Sequence, residues 1–175
     1  MTETNASRFV AFNGSPMALE GAVVNVNDPA PQFALINTDL NLVSSADFLG
    51  RVVLLATVPS LDTAVCDLET KKFDHEISTL GNQVAYLTVS MDLPFAQQRW
   101  CGSSHVHRVV TLSDYKDHQF GKDYGVYIWE LGLLARAVFV IDPTGMLRYR
   151  EMVSEVTNEP DYVRALSVVN ELLKG

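Results

Sequence analysis

Two side chains in this sequence are equipped for covalent chemistry under mild conditions, and they are its only cysteines: Cys66, at the end of VPSLDTAVC, and Cys101, in MDLPFAQQRWCGS. A thiol reacts as its thiolate, and an ordinary cysteine, with a pKa of about 8.5, is mostly protonated at neutral pH. The unpaired N–H groups and positive dipole end of a helix N-terminus favour the anion. Cys66 is followed at once by the charged, helix-like DLETKKF, so a helix starting around Thr63 to Val65 places the sulfur in its first turn. Thr63, three residues earlier, then brings a hydroxyl beside the sulfur as donor or acceptor, while Pro59 shapes the approach and excludes water. The same spacing suits a helix-capping threonine ahead of an inert, buried thiol. Spacing alone does not choose between them.

The elements that must position these groups can be read around them. VVLLATV, an unbroken apolar run ending at Pro59, is a buried strand that delivers the chain to Cys66. Val65, Leu68, Phe73, Ile77 and Leu80 fit the following helix loosely, and Gly81-Asn82 stops it. VAYLTVS is the next strand. Asp92 is placed to cap a short helix with Pro94 in its first turn, running to about Cys101 and ending at Gly102. VVTL is a further strand, KDHQFGKDYG a short helix, and AVFVID with MLRYREMV a hairpin around Pro143-Thr144-Gly145. PDYVRALSVVNELLKG closes the chain as an amphipathic helix. At the start, RFVAF and SPMAL flank Asn13-Gly14, a strong hairpin signal, and predict a two-stranded flap; FALI and LVS follow around Asp39-Leu40-Asn41. Strands alternating with helices predict an α/β sheet covered on both faces.

With 175 residues and 47% apolar content, the chain has the material for one domain over residues 1–175 with a substantial core. MTETNASRF lacks the basic and apolar regions of a signal peptide, and no apolar run nears the ~18 residues of a membrane span. The expectation is a cytoplasmic protein without a membrane partner, in which the Asn5-Ala6-Ser7 sequon is accidental. A formal charge of -8, with 13 scattered Lys and Arg, argues against nucleic acid. In a reducing compartment two cysteines are buried bystanders or a transient, redox-active pair sooner than a permanent staple. His105-Val106-His107 has no carboxylate or cysteine at matching spacing, so no metal site is predicted.

PSLDTAVC resembles the active-site motif of the peroxiredoxins: a proline, three residues, Thr or Ser, two residues, then the peroxidatic cysteine. Its PS-[hydrophobic]-DT-x-VC form is that of the thiol peroxidase subfamily. SMDLPFAQQRWCG is similar to the segment carrying that subfamily's resolving cysteine, LLARAVFVID to the strand bearing its active-site arginine, and EVTNEPDY to the approach to its C-terminal helix; the FNGSP hairpin fits as well. The resemblance covers almost the whole chain. Two positions depart from the pattern: Ala64, where Pro or Gly is common, and Asn27, where Gly usually precedes Asp28.

The resemblance implies a thioredoxin-like fold, a central mixed sheet flanked by helices with an N-terminal β-hairpin extension. It implies that Cys66 is the peroxidatic cysteine and Cys101 the resolving one, with Pro59, Thr63 and Arg136 completing a pocket for hydrogen peroxide and organic hydroperoxides. An intramolecular Cys66–Cys101 disulfide reduced by thioredoxin, a homodimer, and no cofactor or metal are implied too. Charge supports the arginine, because a guanidinium inside LLARAVFV needs a buried partner. The alternative is a non-catalytic redox sensor or thioredoxin-like binding module, which has no use for the full Pro59, Thr63, Cys66 and Arg136 set. Geometry adds a condition: a disulfide needs Cα atoms within ~7 Å, so two cysteines on separate helical segments cannot bond unless one segment unwinds. The short Cys101 helix is the better candidate.

Overall fold

A computed structural model describes residues 8–175; the Asn5-Ala6-Ser7 sequon lies outside them. The chain opens with β1 (Arg8–Phe12) and β2 (Ser15–Glu20), paired antiparallel around Asn13-Gly14, both of which have positive φ. This is the backbone that a two-residue hairpin turn requires. β3 (Ala34–Ile36) and β4 (Leu42–Ser44) form a second small hairpin. β5 (Val52–Thr57), α1 (Ala64–Ser78), β6 (Val84–Ser90), α2 (Pro94–Ser104) and β7 (Val109–Ser113) follow as parallel strands joined by helices. After α3 (Gln119–Asp123) come β8 (Tyr127–Ile128), β9 (Leu133–Leu134), β10 (Ala137–Ile141), β11 (Leu147–Met152) and α4 (Tyr162–Leu173).

Seven strands make one mixed sheet in the order β11-β10-β5-β6-β7-β3-β4. All six residues of β5 are buried because the sheet is covered on both sides. Val52, Leu54 and Ala56 join Phe73 and Ile77 of α1 and Ala165 and Val169 of α4 on one face. Val53 and Leu55 join Phe120, Tyr124, Val10 and Leu134 on the other. Pleating explains the unbroken apolar run, since alternate side chains feed two separate cores. The opening flap is larger than its sequence signal: β8 and β9, too short to register, extend it to a four-stranded sheet β1-β2-β8-β9. Among the described residues, no helix is long and apolar enough to cross a membrane.

Three local expectations are corrected. The buried stripe of α1 is Cys66, Glu69, Thr70, Phe73, Asp74 and Ile77, at helical spacing but half polar. Leu68, expected inside, is 43% exposed. Asp92 does not cap α2, whose N-cap is Leu93 with no side-chain bond. Its carboxylate accepts instead from Ser60 Oγ at 2.7 Å, Leu61 N at 2.8 Å and Ser90 Oγ at 2.8 Å, tying the loop before Cys66 to the end of β6. Finally, α2 does not stop at Gly102 but continues to Ser104, where His105 in the left-handed conformation (φ 53°) closes it.

The hairpin that presents Arg136 turns on Asp142, whose carboxylate accepts from Thr144 N, Thr144 Oγ1, Met146 N and Arg148 Nε. Burial alone raises a carboxyl pKa, but these donors prevail and hold Asp142 down at about 2. Its folded pKa lies below the unfolded value near 3.9, so its contribution is complete above about pH 4 and is lost as pH falls through about 2. Asp142→Ala is expected to lower stability by about 2 kcal/mol at neutral pH. Peroxide turnover per folded molecule should be unchanged, and denaturant melts should show the gap between variant and wild type in full at pH 7, narrowed at pH 3 and closed only below about pH 2.

Candidate active site

The strand that ends at Thr57 hands the chain to a tight turn held by Val58 N donating to Val89 O, 3.0 Å, and by Asp92. Pro59 lies buried in this turn. Having no N–H, it offers the site shape and dryness but no hydrogen bond. Thr63, at φ -89° and ψ 146°, is the N-cap of α1, and its Oγ1 accepts from Cys66 N at 3.4 Å. Ala64 therefore begins the helix without the stiffness of proline, and the cap still forms. Asn27, at φ 74°, occupies the left-handed conformation that glycine would adopt freely and that asparagine tolerates better than most residues.

Cys66 sits in the first turn of α1 and is fully buried. The Thr63 hydroxyl lies 2.7 Å from its sulfur and 3.1 Å from the Ser60 carbonyl. One hydroxyl proton serves one acceptor at a time: it can point to Ser60 while the thiol is protonated and turn to the sulfur of a thiolate. Arg136, immediately before β10, extends a guanidinium with three separate partners. Nη2 donates to Cys66 Sγ at 3.3 Å, Nε to Val156 O at 2.8 Å, and Nη1 to Glu69 Oε2. Its side chain is 2% exposed and that of Glu69 0%, so this ion pair is screened from water. Burial works against the charge on Arg136, yet Glu69 and the Cys66 sulfur together hold its pKa above the ordinary value. The Glu69 carboxyl is raised by burial and pulled back by Arg136.

The Thr63 hydroxyl and the Arg136 guanidinium thus meet at the Cys66 sulfur, and Pro59 lies in the turn that leads to it. Glu69 is the residue that sequence reasoning passed over. Its signal was available, because it lies three positions after Cys66 on the same helical stripe, where a carboxylate needs a buried cation. The Val156 carbonyl, in the segment before α4, left no such trace.

Cys101 stands apart, half-buried on α2, with Sγ 3.5 Å from Thr111 Oγ1. Burial pushes its thiol pKa up, and Thr111 opposes that. It packs against a small apolar cluster of Val58, Leu61, Cys66 and Trp100 at the edge of the main cores. Both thiols are free and α2 is an unbroken helix. The site can accordingly attack an electrophile through Cys66 and stabilise charge beside it through two donors, with a second thiol held nearby on a separate element.

The redoxin family model matches residues 25–166. Over 94% of its length the chain is 46% identical to a thiol peroxidase of Bacillus subtilis strain 168, covering 98% of that protein. It is 49% identical to a thiol peroxidase of Halalkalibacterium halodurans at the same coverages. A crystal structure of a peroxiredoxin-like protein from Aquifex aeolicus superposes with a TM-score of 0.88 at 42% identity, covering 95% of this chain and 98% of that one. Matched along nearly its whole length and with a buried, donor-lined cysteine at a helix N-terminus, the chain belongs to the redoxin family and, within it, to the thiol peroxidases, which reduce peroxides at the expense of thiols.

Proposed function

We propose that Cys66 is the peroxidatic cysteine, that Cys101 resolves it, and that Thr63 and Arg136 bind the peroxide and stabilise its cleavage inside a pocket shaped by Pro59. One observation carries this: the Cys66 sulfur lies within reach of both the Thr63 hydroxyl and the Arg136 guanidinium, at 2.7 and 3.3 Å. The thiolate attacks the nearer peroxide oxygen, the O–O bond breaks, and the departing oxygen leaves as water or an alcohol after taking a proton. Negative charge grows on that oxygen during the step, so fixed donors beside the sulfur bind the transition state better than the ground state. Cys66 becomes a sulfenic acid, and condensation with the Cys101 thiol gives a disulfide and water.

The substrates are hydrogen peroxide and organic hydroperoxides, and thioredoxin is the reductant of the disulfide. The enzyme works as a cytoplasmic homodimer of single-domain chains, with Phe95 and Trp129, both largely exposed, among the apolar side chains available to the dimer interface. A non-catalytic redox sensor is disfavoured, because a relay of oxidation has no need of the paired donors.

The test is mass spectrometry of protein treated with one equivalent of peroxide. A Cys66–Cys101 bond within one chain is the expected product. Cys101→Ser should consume about one equivalent of peroxide per chain, stall under thioredoxin and its reductase, and pass to sulfinic acid at higher peroxide. An exclusively intermolecular disulfide would overturn the intramolecular mechanism while leaving the role of Cys66 standing.

A further inference from the structure

The residues next to the two cysteines hold one another. Asp67 follows Cys66 and Trp100 precedes Cys101, and Trp100 Nε1 donates to Asp67 Oδ1 at 2.9 Å. The indole is buried in the cluster that contains Cys66 and supports Cys101. The rest of this stretch of α2 is weakly held. Buried side chains of the helix are limited to Pro94, Gln97 and Trp100, it has no side-chain N-cap, and Gly102 lies in its last turns, a residue that costs about 1 kcal/mol there relative to alanine. The ion pair of Arg99 with Asp62 is mostly exposed and contributes little.

Both ends of the stretch are fixed. Gln97 Nε2 donates to Ser90 Oγ and to Leu112 O. The Asp74 carboxylate accepts from the backbone N–H groups of His107, Arg108 and Val109. Between these anchors, Trp100 is the one buried side chain joining α2 to α1. Cys66 and Cys101 sit on separate helices and a disulfide needs Cα atoms within ~7 Å, so their bonding calls for the last turns of α2 to unwind, carrying the Trp100 indole away from Asp67.

Resting on the assignment of Cys66 and Cys101 made above, we propose that the Trp100–Asp67 hydrogen bond is a latch that sets the lifetime of the Cys66 sulfenic acid. While it is closed, the sulfenic acid waits. A second peroxide can then oxidise it to sulfinic acid, with release of water or an alcohol. Once it opens, Cys101 attacks the sulfenic sulfur, its proton leaves with the sulfenic oxygen as water, and the disulfide forms. Trp100 and Asp67 are positioning residues, acting on the partition between these two fates rather than on peroxide cleavage.

Removing one hydrogen bond to a carboxylate shifts a local opening equilibrium by about tenfold. Trp100→Phe keeps the ring and loses the donor, while Asp67→Ala loses the acceptor. After one equivalent of peroxide, quenched samples analysed by mass spectrometry should show the disulfide forming about tenfold faster in each, with a matching fall in sulfinic acid at high peroxide. The rate of first-equivalent peroxide consumption should stay within about twofold of wild type, which also reports an intact fold. The double variant should gain no more than either single one, because both remove the same bond. Wild-type disulfide rates in both variants, or effects that multiply in the double variant, would overturn the latch alone. Absence of a Cys66–Cys101 bond within one wild-type chain would overturn the resolving role of Cys101, and the latch with it, while leaving the role of Cys66 standing.

Discussion

Cys66→Ser is expected to show no peroxidase turnover, a loss of at least about 10⁴-fold, the scale on which removal of a nucleophile registers. The substitution is small in volume, and the new hydroxyl inherits the partners of the sulfur, Thr63 Oγ1 and Arg136 Nη2. The pocket therefore stays formed and its polar groups stay satisfied, so thermal unfolding should change little. What disappears is the sulfur nucleophile itself, since a serine hydroxyl in the same place is a far poorer nucleophile at neutral pH. Cys101 cannot take over. Its thiol is raised by burial and faces Thr111, not an arginine. Steady-state oxidation of NADPH through thioredoxin and its reductase measures the loss, and substantial turnover by Cys66→Ser would move the chemistry to another residue.

The sequence displayed the site more completely than the scaffold. Thr63 and Cys66 were legible because a helix start has a local chemical grammar: a capping hydroxyl and a first-turn anion site three residues apart. Arg136 was legible as an anomaly, a charge in an apolar run, but the identity of its partner was not, because Glu69 is 67 positions away and the pairing exists only once β10 lies beside β5. The loose apolar pattern of α1 has the same origin. Glu69 is turned to Arg136, Thr70 Oγ1 donates to Cys66 O at 2.8 Å, and Asp74 captures three N–H groups after α2. These polar side chains occupy positions where a purely structural helix would carry leucine, so a helix devoted to a site reads as a poor amphipathic one. Gly102 carries the signal of a helix stop, but α2 ends at His105, whose left-handed backbone leaves no sequence mark. Asp92 reads as a cap because a cap and a loop clamp call for the same residue type, and only the fold brings Ser60 and Leu61 to it.

Arg136→Met is expected to slow peroxide cleavage by about 10²- to 10³-fold, the usual effect of losing one fixed donor to developing charge. The same change has a second consequence, which must be separated from the first. Glu69 would be left buried without its cation, and breaking a buried pair from one side costs about 3–5 kcal/mol unless the carboxyl takes up a proton. Part of any lost activity could then be lost fold. Arg136→Met combined with Glu69→Leu removes both charges, and replacing a buried pair by apolar side chains is close to neutral for stability. The double variant should therefore recover stability relative to Arg136→Met while peroxide cleavage stays slow, because neither substitution restores a donor to the Cys66 sulfur. Arg136→Lys sharpens the distinction, since an ammonium keeps the charge but cannot reach Cys66, Glu69 and the Val156 carbonyl together as the guanidinium does. Single-turnover peroxide consumption and the rate of Cys66 alkylation at fixed pH, both corrected for the folded fraction, are the measurements. Recovery of the cleavage rate together with stability in the double variant would reduce Arg136 to a structural counter-ion; a rate that stays low while the melt recovers ties it to the O–O bond.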